Sequence, residues 1–133
     1  MSDSVASSHI NSVADRFTAA IASADMRAIR ELYTPDAVIW HCTEAVELSV
    51  DQLEPLVTAI ASVSDCRIEV LSRSATDTGF VQTQMNTYTL RDGGEAVLRS
   101  ALLVTVDGDR IRRVDEYFDS VALGPLIAAL PAP

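Results

Sequence analysis

A single carboxylate raises the question of chemistry in this chain. In the stretch Arg110–Asp119 side-chain character alternates. Read as a strand, it puts Val114, Glu116 and Phe118 on one face and Arg113, Asp115, Tyr117 and Asp119 on the other. Glu116 then stands between apolar neighbours on the face that meets the core, where an acid is either paired for structure or put to work. The group that matches it is His41, near the end of the apolar run Ala37-Val38-Ile39-Trp40-His41-Cys42, whose β-branched and aromatic content predicts a strand. An imidazole and a carboxylate projecting into one interior can move a proton on a ketone or enol, or activate a water. Pairing and an apolar surround pull each group's protonation in opposite directions. The alternatives are a buried pair of structural meaning only, and a flipped register of the first strand that sends His41 outward and Trp40 inward.

The elements that must position these groups follow in chain order. Residues 1–8 are Ser-rich and without periodicity, which predicts a frayed arm ahead of one domain over 9–130. From His9, the apolar positions Ile10, Val13, Ala14, Phe17, Ile21 and Ala24 recur at helical spacing. Asp25 reads as the N-cap of a second, shorter helix with the stripe Met26, Ile29, Leu32 and Tyr33, ended by Pro35. Residues 43–48 read as a loop. Ser49 and Gln52 form a capping box flanked by a Leu48–Leu53 staple, predicting a helix over 50–63 whose inward stripe is Leu53, Leu56, Val57, Ile60 and Val63.

Beyond Cys66 the texture is β. Four runs, 67–76, 80–91, 96–106 and 110–119, are separated by Gly-containing turns, which predicts an antiparallel meander. In the third run Leu98, Ser100, Leu102, Val104 and Val106 share one face; the opposite face is also rather apolar, which predicts a partner sheet and hence a homodimer. The run 80–91 is open to two registers. A two-residue turn at Gly93-Gly94 aligns Thr83, Met85, Thr87 and Thr89 with Leu98, whereas a three-residue loop aligns Gln84, Asn86 and Tyr88 with it. The second is favoured, because Phe80, Tyr88 and Leu90 then share that face, and it offers hydrogen-bond donors to an interior oxyanion. The apolar tail Val121–Leu130, with Pro125 suited to a first helical turn, caps the sheet's open end or crosses a dimer seam.

With 133 residues and 48% hydrophobic content, the chain builds one core. A net charge of −9 opposes nucleic-acid binding. The apolar runs are too short for a membrane span, and the N-terminus shows no targeting pattern, so a cytoplasmic protein is expected. Cys42 and Cys66 lack any C-x-x-C spacing and read as small buried hydrophobes. There is no phosphate loop, H-E-x-x-H or serine elbow, and no metal or cofactor is called for.

Three N-terminal helices against a curved antiparallel sheet make an α+β, cone-shaped layout with an apolar interior. With the residues Leu32–His41 and Asp107–Asp119, this layout resembles the SnoaL-like branch of the nuclear transport factor two-like superfamily, relatives of ketosteroid isomerase, limonene epoxide hydrolase and polyketide cyclases. The resemblance implies that His41 stands where the isomerase has its carboxylate base and the hydrolase a water-holding Asn, and that Glu116 stands where the hydrolase has its catalytic Asp. Phe17 replaces the isomerase's oxyanion-hole Tyr and Leu102 its protonated Asp; Thr83 and Met85 replace the hydrolase's Arg and Asp. The expectation is a cofactor-free enzyme for proton transfer on a hydrophobic, carbonyl-bearing small molecule, of isomerase, cyclase or lyase type. His41 and Glu116 are its catalytic pair, and the pocket is lined by Phe17, Tyr33, Trp40, Leu56, Ile60, Asn86, Tyr88, Leu98, Ser100, Leu102, Val114 and Phe118. Its rivals are a water-activating, epoxide-hydrolase-like enzyme and a non-catalytic ligand-binding or dimerisation module.

Overall fold

The computed structural model describes residues 2–131. Helices α1 (Ser2–Ser23), α2 (Met26–Leu32) and α3 (Val50–Val63) pack on one face of a six-stranded sheet. Its strands are β1 (Tyr33–His41), β2 (Val46–Leu48), β3 (Ser64–Ala75), β4 (Gly79–Leu90), β5 (Glu95–Asp107) and β6 (Arg110–Phe118), in the spatial order β2-β1-β6-β5-β4-β3. A short 3₁₀ turn, η1 (Ser120–Leu123), leads into α4 (Gly124–Ala129). The fold class is the expected α+β; the sheet departs from a purely antiparallel one only where β1 runs parallel to β6.

Helix signals in the sequence act where they stand. Asp25 caps α2 by accepting from the Ala28 N–H, and α3 carries the full capping box, Ser49 accepting from the Gln52 amide while the Gln52 side chain accepts from the Ser49 N–H. Residues 2–8, expected as an arm, belong to α1; the Ser-rich segment contains neither Pro nor Gly, so nothing in it stops the helix from extending past its buried part. The α1–α2 elbow has Ala24 in the left-handed region at φ 53°, with the Asp25 N–H closing on the Ala20 carbonyl.

Two expectations about β1 and β2 are corrected. Tyr33 is the first residue of β1 rather than the last of α2, and Pro35 lies inside that strand. Between Tyr33 and Val38 the pairing with β6 is irregular, which is where a residue without an N–H is tolerated. The segment read as a loop contains the edge strand β2, paired with β1 from Ile39–Leu48 to His41–Val46.

The β4–β5 hairpin closes with three loop residues, Arg91, Asp92 and Gly93; the Leu90 N–H bonds to the Gly94 carbonyl and Gly93 takes φ 92°. That loop length sets the register: Gln84 pairs with Ser100, Asn86 with Leu98 and Tyr88 with Ala96, all facing the helices. Gly79 opens β4 where a Cβ would lie 1.9 Å from the Val104 carbonyl oxygen, so no larger residue fits there. In β3 the pairing slips between Val70 and Ser72, so Leu71 is an extra residue and Arg73, rather than Ser72, faces Gln82.

The interior divides into two apolar clusters. One joins α1, α2, β1, β4, β5 and β6 through Val13, Phe17, Ile29, Leu32, Ile39, Phe80, Leu102 and Val114. The other, at the opposite end of the sheet, gathers Tyr88, Leu90, Ala96 and Leu98 around Leu126 of α4, which is 2% exposed. The C-terminal tail therefore caps the open end. On the far face of the sheet Leu103 and Tyr117 are 45% and 49% exposed.

Candidate functional site

Between the two clusters the inner face is polar. β1 and β6 run side by side, with His41 in register with Glu116. The alternation that puts Ile39 and Val114 in the core carries both polar side chains to the same side. Nε2 of His41 lies 3.5 Å from Oε1 of Glu116, and the side chains are only 15% and 16% exposed. Protein surrounds the carboxylate, yet part of its surface is reachable by water. Burial raises the Glu116 pKa; the His41 charge and then the Ser100 hydroxyl oppose this less strongly. Phe118 packs edge-on to the His41 ring at 6.0 Å, and its N–H and carbonyl both engage the Cys42 thiol, pinning the end of β1 to β6.

Three hydroxyls belong to the same region. Ser100, on β5 diagonal to Glu116, turns its hydroxyl toward that carboxylate closely enough to favour its charged form, but its buried oxygen meets the full geometry of a hydrogen bond with no partner, alone in this among the described residues. Burial pushes the Tyr33 phenol up, and the Glu116 charge adds to the effect. Tyr88 is pushed up by burial as well, with Glu116 again contributing, so the carboxylate lies within electrostatic reach of both phenols.

Tyr88 ends a row of buried polar side chains along β4. Arg73 Nε donates to Gln82 Oε1 at 2.8 Å, Gln82 Nε2 to Gln84 Oε1 at 2.8 Å, Gln84 Nε2 to Asn86 Oδ1 at 2.9 Å, and Asn86 Nδ2 to the Tyr88 hydroxyl at 3.2 Å. The second Gln82 N–H goes to Thr18 on α1. Gln82, Gln84 and Asn86 are each 3% exposed or less.

A cleft of about 370 Å³ opens between the C-terminal end of α1, α3 and β3, and it reaches Ile60, Cys66 and Tyr88. Burial lifts the Cys66 thiol to about 11, the neighbouring Tyr88 hydroxyl opposing, so it is not a ready nucleophile. A second cleft, lined by Arg30, Tyr33, Asp51 and Arg110, lies at the α2–α3 surface. His41 and Glu116 line neither cleft; the first approaches their end of the sheet through Tyr88. Among the described residues no three His, Cys, Asp or Glu side chains converge as a metal site would require.

The expected lining residues separate into groups. His41, Glu116, Ser100 and Phe118 come together, as do Asn86, Tyr88, Leu98 and Ile60. Phe17, Tyr33, Leu102 and Val114 are packed in the first cluster, the Phe17 ring meeting Phe80 edge-on at 6.3 Å. Two expectations fail. Trp40 faces away from the interior and stacks obliquely on Tyr117 at 5.2 Å, since inward His41 forces its neighbour outward. Leu56 is 38% exposed, because the buried stripe of α3 centres on Leu53, Val57 and Ile60 and leaves Leu56 on its flank. Gln82, Arg73 and Thr18 were absent from the expected set. The recurrence of side-chain amides at alternate positions 82, 84 and 86 was the available signal.

Comparisons with known proteins agree with this architecture. PrhC from Penicillium brasilianum superposes with a TM-score of 0.82 at 13% identity, over 92% of this chain and 87% of that one. IdmH from Streptomyces antibioticus, a candidate polyketide cyclase, gives 0.76 at 15% identity over 90% and 98%. A Mycobacterium tuberculosis LEH-like epoxide hydrolase gives 0.74 at 12% identity over 92% of each chain. A search of curated proteins finds no match in sequence. The SnoaL-like domain model matches residues 14–114, three-quarters of the chain, and the protein belongs to the SnoaL-like domain family, whose fold it shares with polyketide cyclases, isomerases and epoxide hydrolases.

Proposed function

We propose that the hollow between helices and sheet binds a hydrophobic small molecule carrying a carbonyl or enol oxygen, and that His41 and Glu116 move a proton on it. The observation carrying this reading is the loosely joined pair at 3.5 Å, enclosed yet reachable, beside a buried Ser100 oxygen with no partner. In the reaction the imidazole takes or gives the proton at substrate carbon or oxygen. Glu116 orients the ring and balances its charge while His41 holds the proton. Tyr88 or Asn86 donates to the oxygen on which negative charge develops. No cofactor is required for such a step.

Water activation is the second reading, favoured by the likeness to the epoxide hydrolase and by the carboxylate at position 116. Isotope labelling separates the two. Incubation with a panel of cyclic ketones and enols in D₂O should place deuterium on a substrate carbon, and His41→Ala and Glu116→Gln should each abolish it while keeping the melting temperature within a few degrees. Incorporation of ¹⁸O from labelled water into product would favour the hydrolase. Loss of folding in both variants would leave the pair a structural one and the hollow a binding module.

The outer face of the sheet supports a homodimer. Leu103, Tyr117 and Trp40 form an apolar surface away from the site. Sedimentation at micromolar concentration should show a dimer that Leu103→Lys converts to monomer; a monomeric parent protein would refute this. Both cysteines are free, which suits the reducing cytoplasm, and among the described residues no helix is long and apolar enough to cross a membrane.

A further inference from the structure

The polar row on β4 has a direction, and Arg73 sets it. A guanidinium has donors and no acceptor, so the atom of Gln82 that meets Arg73 Nε must be the carbonyl oxygen. The Gln82 amide nitrogen then points along the strand and Gln84 must answer with its oxygen. The same requirement passes through Gln84 to Asn86 and leaves the Asn86 nitrogen donating to Tyr88. Every orientation follows from the charge at the head, with no free choice of amide flip. Thr18 agrees independently: its hydroxyl donates to the Ala14 carbonyl and so is left to accept from Gln82.

The consequence lies at the far end. A hydroxyl that accepts from Asn86 is free to spend its own proton elsewhere. The Tyr88 hydroxyl borders the cleft beside Cys66, whose sulfur is the acceptor its proton faces in the free protein. A thiol sulfur accepts weakly, so an entering oxygen can take that proton over. Bonds in a chain with one sense of donation polarise each other in the same direction.

We propose that Arg73, Gln82, Gln84 and Asn86 form a one-way hydrogen-bond relay that holds Tyr88 as a donor, so that the cleft selects ligands presenting an acceptor oxygen, a carbonyl or an oxyanion, over those presenting only a donor. Arg73 is the positioning residue, acting across roughly 20 Å of strand from Gln82 to Tyr88 at the usual rise per residue. Asp15, which pairs with Arg73 at 2.8 Å, is 73% exposed and leaves the head of the relay cationic. The assignment rests on reading the hollow as a ligand site, and its test separates the two.

The side-chain amide spectrum of ¹⁵N-labelled protein reports the relay without a ligand. In the parent, Tyr88→Phe removes the acceptor for Asn86 Nδ2, and the Asn86 amide protons should move upfield. In Arg73→Glu combined with Asp15→Asn, the acceptor at the head reverses the row; Tyr88 then donates to Asn86 Oδ1, and adding Tyr88→Phe should leave the Asn86 amide protons in place. Arg73→Lys should keep the parental pattern. If the reversed variant does not fold, Gln82→Glu serves instead, since a carboxylate paired with Arg73 accepts from Gln84 and reverses the remaining row. An Asn86 amide that responds to Tyr88→Phe equally in parent and reversed proteins would overturn the relay. Binding of 4-nitrophenolate, read by its absorbance, supplies the second arm. Tyr88→Phe and the reversed variant should each weaken it roughly tenfold or more, as for loss of a hydrogen bond to a charged group. Absence of binding to the parent would count against the hollow as a ligand site while the amide spectrum still decides the relay.

Discussion

The inner face of the sheet carries two sets of polar side chains with opposite habits. On β4 each amide of the row is answered by the next, at 2.8–3.2 Å, and the head is a charged residue. On β1, β5 and β6 the His41–Glu116 contact is long at 3.5 Å and Ser100 has no partner. A buried polar group is tolerated when its hydrogen bonds are complete and costs free energy when they are not. The first set therefore accounts for its own presence. The second does not, although Ser100 on β5 stands directly opposite Gln84 of the completed row, and this is the contrast on which the proposed function rests.

The contrast can be broken most forcefully on the satisfied side. Gln84→Leu interrupts the row and strands Gln82 and Asn86 in the interior, and should cost roughly 2–4 kcal/mol in urea unfolding, the penalty for buried groups that lose their partners. A loss below about 0.5 kcal/mol would mean that the row is not the support its geometry implies, since surface changes are that small.

A pH series sharpens the unsatisfied side. Because burial raises the Glu116 pKa in the folded state above its unfolded value, folding takes up protons between the two values. Stability should therefore fall as pH rises from the ordinary carboxylate range through the raised one, by at most about 1.4 kcal/mol per pH unit for one group. Glu116→Gln should remove this component, and thermal melts across that window should show a flatter profile than the parent. An unchanged slope would show that the carboxylate is not held in an unfavourable environment.

The smallest effect is expected at Ser100. Its hydroxyl approaches the Glu116 carboxylate without completing a hydrogen bond, so Ser100→Ala should change stability by no more than about 0.5 kcal/mol, in contrast to Gln84→Leu. A larger loss would reveal a bond that the free protein already uses.

Much of this arrangement was legible from residue types. Ser49 with Gln52 located α3 because a cap is a local device whose partners lie within one turn. The glycines at 93 and 94 left two β4 registers open, and the shared face of Phe80, Tyr88 and Leu90 favoured the three-residue loop that the positive φ of Gly93 closes. His41 and Glu116 followed from alternation within single strands, although alternation alone left open which way β1 faced. The relay was not legible. The favoured register turned Gln84 and Asn86 inward as separate donors, but that they join end to end, and that Gln82 beside them is fully buried, shows only in the packed sheet. Arg73 was less legible still, because an irregularity in pairing, invisible in β3 alone, places it opposite Gln82. Exposure of Leu56 depends on how far an apolar stripe is covered, which tertiary packing decides, whereas the outward turn of Trp40 follows from alternation once His41 faces inward.

The same extra residue in β3 bears on how molecules of this protein can meet. β3 is one border of the sheet, and its ladder is interrupted at Leu71; the other border, β2, is three residues long. A kinked margin and a stunted one offer no straight row of free amides and carbonyls onto which a second sheet could zip. Lateral growth into fibrils is thereby disfavoured at both rims, which leaves the broad side of the sheet, the face proposed for the dimer, as the surface where side chains rather than backbone would decide a partner.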